Sequence, residues 1–162
     1  MIREATATDA SAVAAIYNHY IEQTTITFET APVSETQVAE RIAAVQRAGY
    51  PWLVCDEGGV VGYAYATQLS PRAAYAHSAE ATVYLDPAAG GRGRGTALYR
   101  ALLARLRAGG AHTVIGVIAL PNPASVALHE RIGMRKVGHL AQVGHKFGRW
   151  IDVGYWQMGL GA

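Results

Sequence analysis

The feature that most constrains this chain is a run of glycine and arginine set between a strand pattern and a helix pattern. Residues 90–95 read Gly90-Gly91-Arg92-Gly93-Arg94-Gly95. Before the run, Glu80 to Leu85 (EATVYL) reads as a strand. After it, Ala97, Leu98, Ala101, Leu102, Arg105 and Leu106 recur at helical spacing. Glycine opens backbone conformations closed to other residues and lets a ligand approach the main chain. The first N–H groups of a following helix lack partners and attract an anion, and the two arginines add positive charge. The pattern predicts a phosphate or pyrophosphate cradle; the alternative is a glycine-rich connector without a ligand. No Gly-Lys pair is present, so this is not a P-loop. A G-x-G-x-x-G counted from Gly91 or Gly93 would end on Thr96 or Leu98, so the dinucleotide spacing fails as well.

Around this loop the patterns alternate only in part. Met1 to Ala5 predicts an edge strand, and Thr6, Thr8 and Asp9 are candidate N-caps for a helix with Val13, Ile16, Tyr17, Tyr20 and Ile21 on one face. Ser34 starts a second helix carrying Val38, Ile42 and Val45. PWLVC (51–55) and Val60 to Gln68 form a hairpin across Glu57-Gly58-Gly59, and Thr113 to Ala119 is a buried strand. Pro123 to Ile132 is a short helix, and strands over about 135–143 and 150–158 close the chain. The order β-α-α-β-β-β-α-β-α-β-β predicts a mixed α+β fold with a sheet of about seven strands and about four helices, not a doubly wound parallel sheet.

Composition narrows the function classes. A chain of 162 residues is expected to be one domain, 1–162. With 51% hydrophobic and 16% charged residues it is not a disordered chain. A net charge of +2 gives no argument for nucleic acid. The single cysteine, Cys55, excludes an internal disulfide framework and a cysteine zinc cluster, and reads as a small buried apolar residue. The six histidines show no metal-ligand spacing, so no metal is expected. No apolar run reaches the ~18 residues of a membrane span, and the start MIREATATDA lacks a secretory pattern. A soluble, cytoplasmic protein acting without membrane or nucleic acid is the expectation.

The glycine run resembles the signature [QR]-x-x-G-x-[GA] of the GNAT superfamily of N-acetyltransferases, with Gly93 and Gly95 matching and Gly90 standing where the family has Gln or Arg. Asn122 to Met134 (NPASVALHERIGM) is similar to the family's second motif, N-x-x-[AS]-x-x-L-Y-x-x-x-G-F, with His129 in the tyrosine position. More narrowly, the chain resembles the phosphinothricin and methionine sulfoximine acetyltransferase branch. The matching segments are Ile2-Arg3-Glu4-Ala5, Ile16-Tyr17-Asn18, Tyr50-Pro51-Trp52-Leu53-Val54, Ala79-Glu80-Ala81-Thr82-Val83-Tyr84 and the tail from Gly144-His145-Lys146 to Gln157. The resemblance implies a GNAT-like, mostly antiparallel sheet, acetyl-CoA as co-substrate and a homodimer with its site near the interface. It also implies direct attack of a small amine, the α-amino group of an amino-acid-like molecule, on the thioester in a ternary complex.

That chemistry needs a base for the protonated amine and an N–H donor for the thioester oxygen. Glu80, flanked by two alanines, is the candidate base; the alternative is a solvated strand glutamate. His129 is a candidate proton relay or donor to the sulfur; the alternative is a packed helix-face histidine. The resemblance implies that Gly91, Arg92, Gly93, Arg94, Gly95 and Thr96 hold the pyrophosphate, that Val83, Tyr84 and Leu85 offer backbone to the pantetheine amides, and that Asn122 holds the same arm. Phe28, Arg72, Tyr75 and Thr82 fall on substrate-side positions of the branch, with Arg72 suited to grip a carboxylate. The readings open against this one are a GNAT enzyme acting on a protein N-terminus or aminoglycoside, and an acyl-CoA sensor without catalysis. Polyamines are disfavoured because Glu80 is the sole acid in Ser70–Tyr84.

Overall fold

The structure, a computed structural model, describes residues 1–161. The β-branched and aromatic runs form seven strands: β1 (Ile2–Glu4), β2 (Trp52–Asp56), β3 (Val60–Gln68), β4 (Ser78–Leu85), β5 (Thr113–Leu120), β6 (Arg135–Lys146) and β7 (Arg149–Gly159). Four α-helices accompany them: α1 (Ala10–Gln23), α2 (Glu35–Arg47), α3 (Arg94–Ala108) and α4 (Pro123–Arg131). One sheet runs in the order β1-β2-β3-β4-β5-β7-β6. Every neighbouring pair is antiparallel except β4–β5. This is the mixed, mostly antiparallel GNAT-like sheet that the sequence predicts.

Each face of the sheet carries its own core. Leu98, Leu102 and Leu106 of α3 pack with Leu53, Ala66, Val114 and Trp156 on one face. Val13 and Ile16 of α1, with Val38 and Ile42 of α2, cover Trp52, Val54 and Tyr63 on the other. Strand alternation explains the division, since successive side chains leave a strand on opposite faces. Ser34 caps α2 as expected: its Oγ accepts from the Gln37 N–H at 3.1 Å, and its own N–H donates to Gln37 Oε1 at 2.8 Å. No helix of the described residues is long and apolar enough to cross a membrane.

Two boundaries differ from the sequence reading. Helix α3 begins at Arg94, so Gly95 and Thr96 lie inside its first turn instead of before it. Strand β6 runs on to Lys146, not Val143, and turns through Phe147 and Gly148, both at positive φ (53° and 70°). A bulge between Leu140 and Gly144, with Gln142 at φ 52°, hides the alternation there and accounts for the shorter expectation.

One feature of the sheet positions everything that follows. Strands β4 and β5 pair only from Ser78–Ala81 to Thr113–Gly116. Beyond Ala81 and Gly116 they part, β4 staying with β3 as far as Leu85 and β5 with β7 as far as Leu120.

Candidate active site

The parting of β4 and β5 leaves main-chain groups without strand partners. The Ser78 carbonyl accepts from the Leu69 N–H, and the Asp86 N–H donates to the Val61 carbonyl, so even-numbered residues of β4 turn their backbone to β3. Odd-numbered Val83 and Leu85 therefore turn theirs to the open side. The Leu85 carbonyl is taken by the Tyr20 hydroxyl, which donates to it at 2.6 Å. The Val83 N–H and C=O and the Leu85 N–H remain as an exposed ladder edge. Of the three residues expected to offer backbone, Val83 and Leu85 do so; Tyr84 turns its backbone to β3.

At the end of β4 the chain enters the glycine loop. Gly91 and Gly93 hold φ of 79° and 74°, the left-handed region that favours glycine. Gly93 is the N-cap of α3, and the first bond of that helix runs from the Ala97 N–H to the Gly93 carbonyl. The N–H groups of Arg94, Gly95 and Thr96 are left facing outward. A Cβ at Gly90, Gly91 or Gly93 would meet nothing within 4 Å, so the space before the helix is open. These features fit a pyrophosphate. The two arginines behave differently from expectation. Arg92 is exposed, whereas the Arg94 guanidinium donates to Glu57 at 2.9 and 2.6 Å and to the Ala89 carbonyl at 3.0 Å. Arg94 thus offers its backbone to the cradle while its side-chain charge is already paired.

A cavity of about 220 Å³ opens in the parting. Glu80, Thr82, Val83, Tyr84, Phe28, Asn122 and His129 all line it, so seven of the predicted site residues meet in one place. Glu80 is the third residue of β4 and pairs with Thr67 and Ile115 just before the strands separate. Among the described residues its carboxylate has neither a hydrogen-bond nor an ionic partner. Burial alone raises its pKa above the ordinary 4.5.

His129 is buried on α4, at 4% exposure, with its ring edge-on to Tyr99 at 5.0 Å. Its Nδ1 lies 2.7 Å from the Ser125 carbonyl oxygen. A carbonyl can only accept, so Nδ1 carries the proton. Burial lowers the ring's pKa from 6.5, and the neutral form keeps its lone pair at Nε2. In that form Nε2 can accept a proton and carries none, so donation to the sulfur would require the ring to take up a proton first. Gly116 makes room for it, since a Cβ there would stand 2.5–2.6 Å from His129 Cδ2 and Nε2. Asn122 caps α4 by accepting from the Ser125 N–H at 3.2 Å, which leaves its amide NH₂ free to donate.

Arg72 and Tyr75 do not line the cavity. Both are exposed in the β3–β4 connection, where the Gln68 side chain donates to the Arg72 carbonyl at 3.2 Å. Conversely, Ile26, Thr27, Tyr65, Val117, Ser125 and Val153 line it without having been singled out in the sequence. Their signal was weak because they come from five separate segments and carry no distinctive chemistry.

A model of the acetyltransferase (GNAT) domain matches residues 2–154. The phosphinothricin N-acetyltransferase of Streptomyces viridochromogenes is 44% identical over 157 residues, covering 96% of this chain and 85% of that protein. An L-methionine sulfoximine/L-methionine sulfone acetyltransferase of Pseudomonas paraeruginosa is 37% identical, with 98% and 94% covered. Among solved structures, a GNAT phosphinothricin acetyltransferase from Sinorhizobium meliloti in complex with acetyl-CoA superimposes with a TM-score of 0.96 at 38% identity, over 99% of this chain and 88% of that one. The chain belongs to the GNAT acetyltransferase family. Within it, the chain is an N-acetyltransferase similar along nearly its whole length to the phosphinothricin and methionine sulfoximine enzymes.

Proposed function

We propose that this enzyme transfers the acetyl group of acetyl-CoA to the α-amino group of a small amino-acid-like acceptor of the phosphinothricin, methionine sulfoximine or methionine sulfone kind, within a ternary complex. The observation that carries the reading is the unpaired Glu80 carboxylate, lying in one cavity with the open edge of β4. The thioester supplies an acyl group already activated for attack. Gly91 to Thr96 hold its pyrophosphate through backbone N–H groups, and Asn122 and the edge of Val83 and Leu85 hold the pantetheine arm. The Val83 N–H is the donor placed to face the thioester oxygen as charge develops there. Glu80 takes the ammonium proton, directly or through water, and its raised pKa matches it better to that task. His129 accepts from the cavity at Nε2. The thiolate leaves with modest help, its conjugate thiol having a pKa near ~8.5. Holding both reactants in one cleft supplies much of the remaining acceleration.

Glu80 is the one carboxylate on the cavity wall, which suits a single amine and not a polyamine. Arg72 is the cation for the acceptor's carboxylate in this reading: it stands outside the cavity, and its guanidinium has no partner among the described residues. We propose also that two copies associate through the β6–β7 hairpin, whose Val137, Leu140, Val143, Phe147 and Trp150 are exposed. The test of function is thiol release from acetyl-CoA with methionine sulfone, methionine sulfoximine, phosphinothricin, spermidine and an aminoglycoside. Release with the amino-acid analogues alone is expected. Release with spermidine or the aminoglycoside alone would overturn the assignment, and acetyl-CoA binding without release would favour a sensor.

A further inference from the structure

The tail motif Gly144-His145-Lys146 takes no part in the chemistry above, yet two of its residues reach the cavity wall from the far edge of the sheet. Gly144 and Lys146 are two apart on β6 and share a face. That face is turned to the connection between α1 and α2, in which Ile26, Thr27 and Phe28 line the cavity. A Cβ at Gly144 would overlap the Phe28 ring, with Cε2 at 2.5 Å and Cε1 at 2.9 Å. Only glycine lets the ring lie there. Phe28 therefore rests on Gly144 with one side and borders the cavity with the other. Lys146, 4% exposed, donates from Nζ to the Thr27 carbonyl at 2.8 Å, across 119 residues of chain. Its ammonium has no carboxylate partner among the described residues; the other group facing it is the Phe147 ring, at 5.1 Å. A buried lysine without an anion is costly to keep, and its burial lowers its pKa. Its one hydrogen bond holds the residue next to Phe28. Thr27 is held from the other side as well, by Tyr17, whose hydroxyl lies 2.8 Å from Thr27 Oγ1.

We propose that β6 sets the acceptor end of the cavity, Gly144 as the specificity-determining seat of the Phe28 ring and Lys146 as the positioning residue for the Thr27–Phe28 backbone. The proposal rests on reading this cavity as the acceptor site. A methyl group at position 144 would overlap the ring, and the part-exposed Phe28 side chain, which also borders the cavity, is expected to give way toward it. Acceptors with long side chains then lose more than short ones. The acetyl-CoA contacts proposed here come from β4, α3 and α4, not from β6, and are expected to stay as they were.

The experiment compares wild type, Gly144→Ala, Lys146→Met, Phe28→Ala and the Phe28→Ala/Gly144→Ala pair. Each is assayed with methionine sulfone and with alanine as acceptors. Gly144→Ala is expected to lower kcat/KM for methionine sulfone about ten-fold relative to alanine, with KM for acetyl-CoA unchanged. In the Phe28→Ala background the same substitution is expected to have no effect on that ratio. Lys146→Met is expected to raise the acceptor KM several-fold at unchanged acetyl-CoA KM. A ratio unmoved by Gly144→Ala, or an equal effect with and without the Phe28 ring, would overturn the proposal. The chain has only two phenylalanines, Phe28 and Phe147, so 4-fluorophenylalanine labelling gives two fluorine signals, which Phe28→Ala assigns. Gly144→Ala and Lys146→Met are each expected to shift the Phe28 signal, and an unmoved signal counts against the seat. If neither acceptor is acetylated, the acceptor-site reading fails while the fluorine signal still decides the seat.

Discussion

His129 Nδ1 lies 2.7 Å from the carbonyl oxygen of Ser125, one turn earlier on α4, and this contact decides which ring nitrogen bears the proton. Ser125 lies in the first turn of α4, and its carbonyl takes the ring N–H on a second lone pair.

The first prediction concerns this ring. With its folded pKa lowered by burial, His129 binds fewer protons in the folded state than in the unfolded one below about 6.5. Its contribution to stability is complete above that value and is lost as pH falls through the folded pKa. Nitrogen NMR of the labelled enzyme is expected to show a neutral ring protonated at Nδ1 at pH 6.5. A doubly protonated ring at that pH would contradict the assignment and restore a proton donor to the leaving sulfur.

A second prediction separates the two glycine positions of the cradle. Gly93 sits at φ 74°, where alanine is strained by about 1–2 kcal/mol. Gly93→Ala is expected to raise KM for acetyl-CoA several-fold, by turning the first N–H groups of α3 away, while the acceptor KM holds. Gly90 sits at φ −68° with nothing near its missing Cβ, so Gly90→Ala is expected to change neither constant more than two-fold. Steady-state kinetics with both substrates varied distinguishes the outcomes; equal effects at the two positions would remove the backbone cradle.

The turn of the glycine loop was legible in the sequence because glycine advertises backbone conformation, and Gly91 and Gly93 take positive φ. Glu80 was legible through the family resemblance, because a strand glutamate between two alanines is by itself more often a solvated one. The seven strands followed from β-branched runs of ordinary length. What the sequence does not show is which segments meet across the sheet. Arg94 reads as a free cation until Glu57, 37 residues earlier, is seen against it. Nothing in the sequence marks Thr27 or Val153 as neighbours, yet both stand on the wall of one cavity. His129 was found as a candidate, but its tautomer depends on a carbonyl, and carbonyls leave no mark in the alphabet of side chains.

The exposed hairpin gives a third prediction. Trp150 is 65% exposed and faces away from every core, so Trp150→Ser leaves the fold intact. If the hairpin joins two copies, sedimentation of the wild type is expected to give a dimer and the variant a weakened one. A wild-type monomer at micromolar concentration would sink the association.

The last prediction follows from the cost of holding Glu80 without a partner. Its folded pKa is raised, so between the ordinary value of 4.5 and the folded value the folded state binds more protons than the unfolded one. Stability therefore falls as pH rises through that window, and the penalty is fully present above the folded pKa. Glu80→Gln keeps the shape and removes the charge. It is expected to lower kcat by about 10²–10⁴-fold, the range for losing a general base, and at the same time to raise Tm at pH 7. The gain in Tm should shrink as pH is lowered and vanish below 4.5, where wild-type Glu80 is itself neutral. In the wild type, kcat/KM should fall on the acid side with an apparent pKa above 4.5, and that limb should be absent from the residual activity of the variant. Thermal melts at pH 4 and pH 7, paired with the pH–rate profile, test both halves together. A variant that lost activity without gaining stability would mean that Glu80 is solvated in the free enzyme, and a variant that kept activity would move the base elsewhere in the cavity.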